Sequence, residues 1–203
     1  MFSFKKTLSV TLLLSTLSLS AFAQNDIALG IPAYGGNGCP GGSASVALSP
    51  DSKQLSIIFD QFLTEAGPAS GRTLDRKSCN IAVPVHVPNG FSISVLAVDY
   101  RGFVSLPNRQ ATAAFSAEYF FAGMRGPVFS RSFVGQQDSD YTISNALAVQ
   151  AMVWSPCGAD TNLRVNASMM LRNSSRISDA MATVDSADIS AGIVYQIQMR
   201  RCN

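Results

Sequence analysis

The sequence predicts an all-β protein, an antiparallel β-sandwich of jelly-roll-like form with about eight to ten strands. Three observations carry that expectation. Several segments alternate apolar and polar residues with a period of two. Breaks rich in Gly, Pro, Asn and Ser separate them at fairly even spacing. No window combines helical apolar spacing with capping residues.

Residues 1–23 have the layout of a secretory signal peptide. Lys5 and Lys6 stand in front, an apolar run over 8–19 is interrupted only by Ser and Thr, and Ala21-Phe22-Ala23 precedes Gln24. The run is short of the roughly 20 residues that span a bilayer as a helix. The expected organisation is therefore a leader over 1–23 and a single secreted domain over 24–203, placed in the medium or the periplasm. Loss of Lys5 and Lys6 takes the 15 basic residues to 13, against 13 acidic ones, so the processed chain is formally neutral. A neutral chain has no bulk attraction for nucleic acid or an anionic membrane, and no later segment is long and apolar enough for a membrane-spanning helix.

After a Gly- and Pro-rich segment at 31–43, read as a loop, the strands follow in order. Ala44, Val46 and Leu48 alternate with Ser43, Ser45 and Ser49. Ser49-Pro50-Asp51 supplies turn chemistry. Leu55, Ile57 and Phe59 line one face of a second strand, and Val83, Val85 and Val87 one face of a third. Residues 91–104, 110–121 and 148–154 are further β-rich runs. The clearest alternation lies at 162–172, where Leu163, Val165, Ala167, Met169 and Leu171 oppose Asn162, Arg164, Asn166, Ser168 and Arg172. Ile193, Tyr195, Ile197 and Met199 repeat it at the end. An outer-membrane barrel shares this alternation, but four cysteines, an ending in Arg201-Cys202-Asn203 and the lack of clear aromatic girdles weigh against it.

Cys39, Cys79, Cys157 and Cys202 read as two disulfides in an exported chain. Four cysteines allow three pairings. Cys39–Cys79 with Cys157–Cys202 is preferred, because each bridge then closes a shorter loop at one end of the chain. Each would contribute roughly 3–4 kcal/mol in the chain-entropy view. A four-thiolate metal site is disfavoured, since no C-x-x-C pair is present.

Few residues point to chemistry. His86 is the one histidine, on the face opposite the three valines, with no G-x-S-x-G motif to complete a triad. Asp60, Asp99 and Glu118 lie in strand-like segments and are the material for a paired-carboxylate polysaccharide hydrolase, the alternative reading. Asp138 and Asp140 sit in what reads as a polar loop at 137–141, to which Asp185 or Asp188 would add oxygens. The expectation is no cofactor and no metal, with calcium the one ion such a loop admits. Trp154, beside Cys157, is read as core packing, with a sugar-stacking platform as the functional rival, joined by Tyr100, Tyr119 and Tyr141. Tyr100, Arg101, Trp154, Asp138 and Asp140 are the candidate binding residues. Two N-x-[ST] sequons, at Asn166 and Asn173, matter only in a glycosylating host.

Several blocks occur in a recognisable order: Gly38-Cys39-Pro40-Gly41-Gly42-Ser43, Ser49-Pro50-Asp51, Phe59-Asp60-Gln61-Phe62, Ser78-Cys79-Asn80-Ile81, Asp99-Tyr100-Arg101-Gly102, Trp154-Ser155-Pro156-Cys157-Gly158, Val184-Asp185-Ser186 and Arg201-Cys202. In these the chain resembles a secreted domain-of-unknown-function family numbered 4360, found in fungi and bacteria. The resemblance implies a small secreted protein with paired cysteines; it carries over no catalytic residue, and the stretch 121–137 departs from it. The resulting expectation is a non-enzymatic exported domain that binds a surface, a glycan or a protein in the envelope or medium.

Overall fold

A computed structural model describes residues 26–147, 152–184 and 192–202. The expected leader over 1–23 and the part of the expected strand at 148–151 lie outside the described residues. In chain order the strands are β1 (Ala28–Leu29), β2 (Ala33–Gly35), β3 (Ala44–Leu48), β4 (Gln54–Phe59), β5 (Leu63–Ala66), β6 (Leu74–His86), β7 (Phe91–Leu106), β8 (Thr112–Phe121), β9 (Val128–Val134), β10 (Gln137–Ala146), β11 (Thr161–Arg172), β12 (Ala180–Thr183) and β13 (Ile193–Arg201). They form two antiparallel sheets. The six-stranded sheet runs β1-β6-β11-β8-β9, with β2 also on β6. The seven-stranded sheet runs β3-β4-β13-β7-β12-β5, with β10 also on β7.

Period-two alternation turns one face of each sheet inward. Leu163, Val165, Ala167, Met169 and Leu171 of β11 are buried beside Ala113, Phe115, Ala117, Tyr119 and Phe121 of β8. Across the interlayer lie Leu55 and Ile57 of β4 and Val98, Tyr100, Val104 and Leu106 of β7. Each large apolar side chain so covered stabilises the fold by roughly 1.5–3 kcal/mol. The disulfides are Cys39–Cys79 and Cys157–Cys202, with Cα–Cα distances of 5.3 and 6.0 Å. The first is fully buried and pins the segment after β2 to β6. Asn37 reinforces it, donating to the Arg76 carbonyl and accepting from the Ser78 amide, both at 2.8 Å.

Three expectations need correction. Thirteen strands are present among the described residues, more than eight to ten, because β1, β2, β5 and β12 have only two to four residues and show no readable alternation. The segment read as a loop at 31–43 contains β2, which pairs Ala33, Tyr34 and Gly35 with Ala82, Ile81 and Asn80. The polar loop at 137–141 is the start of β10, paired with β7 from Gln137–Leu106 to Ala146–Ala97. Of the run at 148–154, Trp154 forms a single bridge to Ser94.

A cross-brace holds β10, β7 and β12 together. Tyr141 points inward from β10 opposite Gly102 of β7, passes over it, and donates its hydroxyl to the Thr183 carbonyl at 2.8 Å. A Cβ on Gly102 would stand 2.3 Å from the Thr183 oxygen and 2.5 Å from the Tyr141 hydroxyl. Gly102→Ala therefore overpacks the brace and is expected to destabilise the protein by about 1–3 kcal/mol. Urea unfolding of the oxidised protein measures this, and an unchanged midpoint would disprove the brace.

Tyr100, Tyr119 and Tyr195 meet in the interlayer, with the rings of Tyr119 and Tyr195 edge to face at 5.5 Å. Tyr100 also stacks on Phe129 at 4.8 Å. Burial raises all three phenols above the ordinary tyrosine range. The folded state thus holds these protons more tightly than the unfolded chain. The associated stability is intact below pH of about 10 and is lost as pH rises beyond it. An alkaline absorbance titration should show these three phenols ionising together with loss of near-ultraviolet circular dichroism, and never ahead of it.

Candidate functional site

The structure separates the residues singled out in the sequence. Tyr100 is fully buried and Tyr119 and Tyr141 nearly so, which corrects the expectation that their rings offer a surface platform. Tyr100 shares the inward phase of Val98 and Val104, so the alternation that buries those valines buries it too.

Arg101, Asp138 and Asp140 share the outer face of the seven-stranded sheet. Thr142 lies opposite Arg101, Asp140 opposite Phe103, and Asp138 opposite Ser105. Asp140 is thus diagonal to Arg101, at about 7–8 Å between Cα positions. Asp99 stands on the same face two residues before Arg101, and Glu65 of β5 lies opposite Met181, itself opposite Ser105. This face carries four carboxylates and Arg101, with Arg200 further along it over Trp154. Glu118 projects from the other sheet, and Asp60 follows β4 in an exposed turn. Among the described residues no three His, Cys, Asp or Glu side chains gather as a metal would require. Asp185 and Asp188 lie outside the described residues.

His86 is exposed at the end of β6, with Nδ1 2.6 Å from the Asp160 carboxylate. Trp154 is not a core residue. It is half-buried on the strap that bridges to Ser94, and the Arg200 guanidinium lies 3.8 Å from its ring centroid. Ser155 extends the anchorage, its hydroxyl accepting from the Ile93 amide at 3.0 Å, and Cys157–Cys202 ties the end of the strap to the end of β13.

The outer face of the six-stranded sheet holds an arrangement that sequence reasoning missed. Ser168 of β11 lies opposite Ser78 of β6 and Ser116 of β8, and Ser116 lies opposite Ser130 of β9. Four serines thus form one row across four neighbouring strands. At the usual strand spacing the row is about 14 Å long. Ser130 donates to Ser116 at 3.4 Å. Beside it runs the row Asn80, Asn166, Glu118, with Asn166 donating to Glu118 at 3.3 Å. On the other side run Arg76, Met170, Ala114 and Ser132. The small side chains leave a cavity of about 220 Å³ that includes Ser116, Ser130, Ser132 and Ser168, with Arg76 beside them. The basic groups on this face are Arg76, Arg164 and Arg172, against Glu118. Ser168 was readable as an outward residue of its strand, but the register that aligns it with Ser78, Ser116 and Ser130 is set by strand pairing between distant segments.

Trp154 is the protein's single tryptophan and reports on its own cover. Arg200→Ala should raise acrylamide quenching of its fluorescence and reduce stability by about 0.5–1 kcal/mol. Unchanged quenching would show that Arg200 does not shield the indole.

Two comparisons bear on the whole chain. The family model Domain of unknown function (DUF4360) matches residues 25–202. An uncharacterized secreted protein of Arthroderma benhamiae is 32% identical over 169 residues, which cover 83% of this chain and 69% of the relative. The ordered cysteine-centred blocks, the two bridges and a match across nearly the full length lead to one conclusion: the chain belongs to the DUF4360 family.

Proposed function

We propose that the protein is an exported, non-catalytic binding domain that lays the outer face of its six-stranded sheet along an extended, hydroxyl-rich glycan chain. The row Ser78, Ser168, Ser116, Ser130 carries this reading. A hydroxyl both donates and accepts, as sugar hydroxyls do, so a serine row can exchange hydrogen bonds with a polysaccharide in either chain direction. The strand spacing repeats the hydroxyls at regular intervals, and the small side chains form a trough rather than a ridge. The Asn80, Asn166, Glu118 row adds amide donors and acceptors along one side. Export is supported by the leader-like first 23 residues, by the two disulfides and by similarity to a secreted relative. The non-catalytic reading is supported by the exposure of Asp60, Asp138 and Asp140 on open surface and by the placement of Glu118 on the opposite face from Asp99, Asp138 and Asp140.

The test is co-sedimentation of the oxidised protein with insoluble cellulose, chitin, β-1,3-glucan and mannan. At least one should retain the protein. Ser116→Glu with Ser168→Glu should weaken that retention about tenfold or more, equivalent to about 1.4 kcal/mol. Thermal midpoint should stay within a few degrees, since both side chains face outward. Ser144→Glu, on the outer face of the other sheet, should leave retention unchanged. Failure to bind all four polymers, or binding that survives the Ser116 and Ser168 changes, would refute the assignment.

A further inference from the structure

Strand β9 ends the six-stranded sheet and, among the described residues, pairs only with β8. Its other edge points backbone N–H and C=O groups away from the sheet, the arrangement that accepts a further strand. Two of its side chains are apolar and exposed, Val128 at 63% and Val134 at 55%. Its sequence is also a palindrome. Val128-Phe129-Ser130-Arg131-Ser132-Phe133-Val134 reads the same in both directions.

We infer that β9 is a homodimer interface, in which two copies of this chain pair their β9 strands antiparallel about a two-fold axis through Arg131. Two-fold symmetry sets Val128 opposite Val134 of the second copy, Phe129 opposite Phe133, and Ser130 opposite Ser132. The palindrome makes every one of these a like pair: β-branched on β-branched, aromatic on aromatic, hydroxyl on hydroxyl. Such pairs are the favourable cross-strand combinations. The register is also restricted. Phe129 and Phe133 face the interlayer, and a slip of one residue would turn the second copy's inner face to solvent. The exposed valines become mutually covered, and two six-stranded sheets become one continuous sheet. The proposal stands independently of glycan binding.

Arg131 meets its own copy on the axis, and like charges directly opposite are unfavourable. Arg131 is exposed, so salt screens that repulsion while leaving the backbone bonds and apolar contacts in place. The dimer should therefore strengthen with ionic strength, the reverse of an interface held by opposite charges.

Sedimentation equilibrium of the oxidised protein tests this at low and high sodium chloride. The expected result is a monomer–dimer equilibrium whose dimer fraction rises with protein concentration and with salt. V128K combined with V134K should give monomer under both conditions with an unchanged thermal midpoint. Mixing the R131E chain with the unmodified chain should give heterodimer in excess over both homodimers, read by native mass spectrometry. Monomer at every concentration up to the solubility limit would overturn the inference and make Arg131 a guard of the edge. A dimer that survives V128K with V134K, or one that weakens as salt is added, would overturn it as well.

Discussion

Strand β7 has to satisfy backbone hydrogen bonds along both edges while its inward side chains meet the opposite sheet. Over Phe91–Leu106 it does so by dividing its partners. On one edge β13 covers Phe91–Tyr100 and β12 takes up at Val104 and Ser105. On the other, β10 covers Ala97–Leu106. The register with β13 shifts between Gln196 and Ile197, which lets one long strand serve neighbours at both of its ends. The cross-brace from Tyr141 to Thr183 sits where β10, β7 and β12 overlap, and the absence of a side chain at Gly102 is what admits it. Near the other end, the covered serines Ser92 and Ser94 receive the strap that carries Trp154.

That framework leaves two outer faces of different character. The seven-stranded sheet shows Glu65, Asp99, Asp138 and Asp140 with Arg101 and Arg200, while the six-stranded sheet shows Arg76, Arg164 and Arg172 with Glu118. Carboxylates outnumber guanidinium groups on one outer face, and the reverse holds on the other. The net charge excludes strong bulk attraction for polyanions, but the local composition still distinguishes one face from the other. On the more basic face the charged groups flank the serine row rather than interrupt it, so hydrogen bonding sets the character of the trough and charge only borders it.

Much of the fold was legible because burial on one side leaves a period-two trace. β11 was readable nearly residue by residue, with Met170 the one apolar residue on the solvent side. The cysteine pairing followed from loop length. β10 was misread because it is an exposed edge strand: Tyr141 is its single buried residue, so its first half looks like a polar loop. Tyr100 was misplaced for the opposite reason. Its hydroxyl suggested a surface role, but its phase within β7 matched Val98 and Val104. The serine row left no trace in the linear order, because Ser78, Ser116, Ser130 and Ser168 come from four strands whose register is fixed only by their pairing. The palindrome in β9 was open to inspection, but acquires meaning only once β9 is known to be an edge.

The two bridges enclose several of the connections between strands. Cys39–Cys79 spans the connections around Ser52 and Gly71, and Cys157–Cys202 spans the one around Ser175. A single nick by a protease at any of these turns releases no fragment, since the cut ends remain covalently joined through sulfur. Among extracellular proteases, a cut at one of these turns would leave the molecule in one covalent piece, and the damage would show only on a reducing gel.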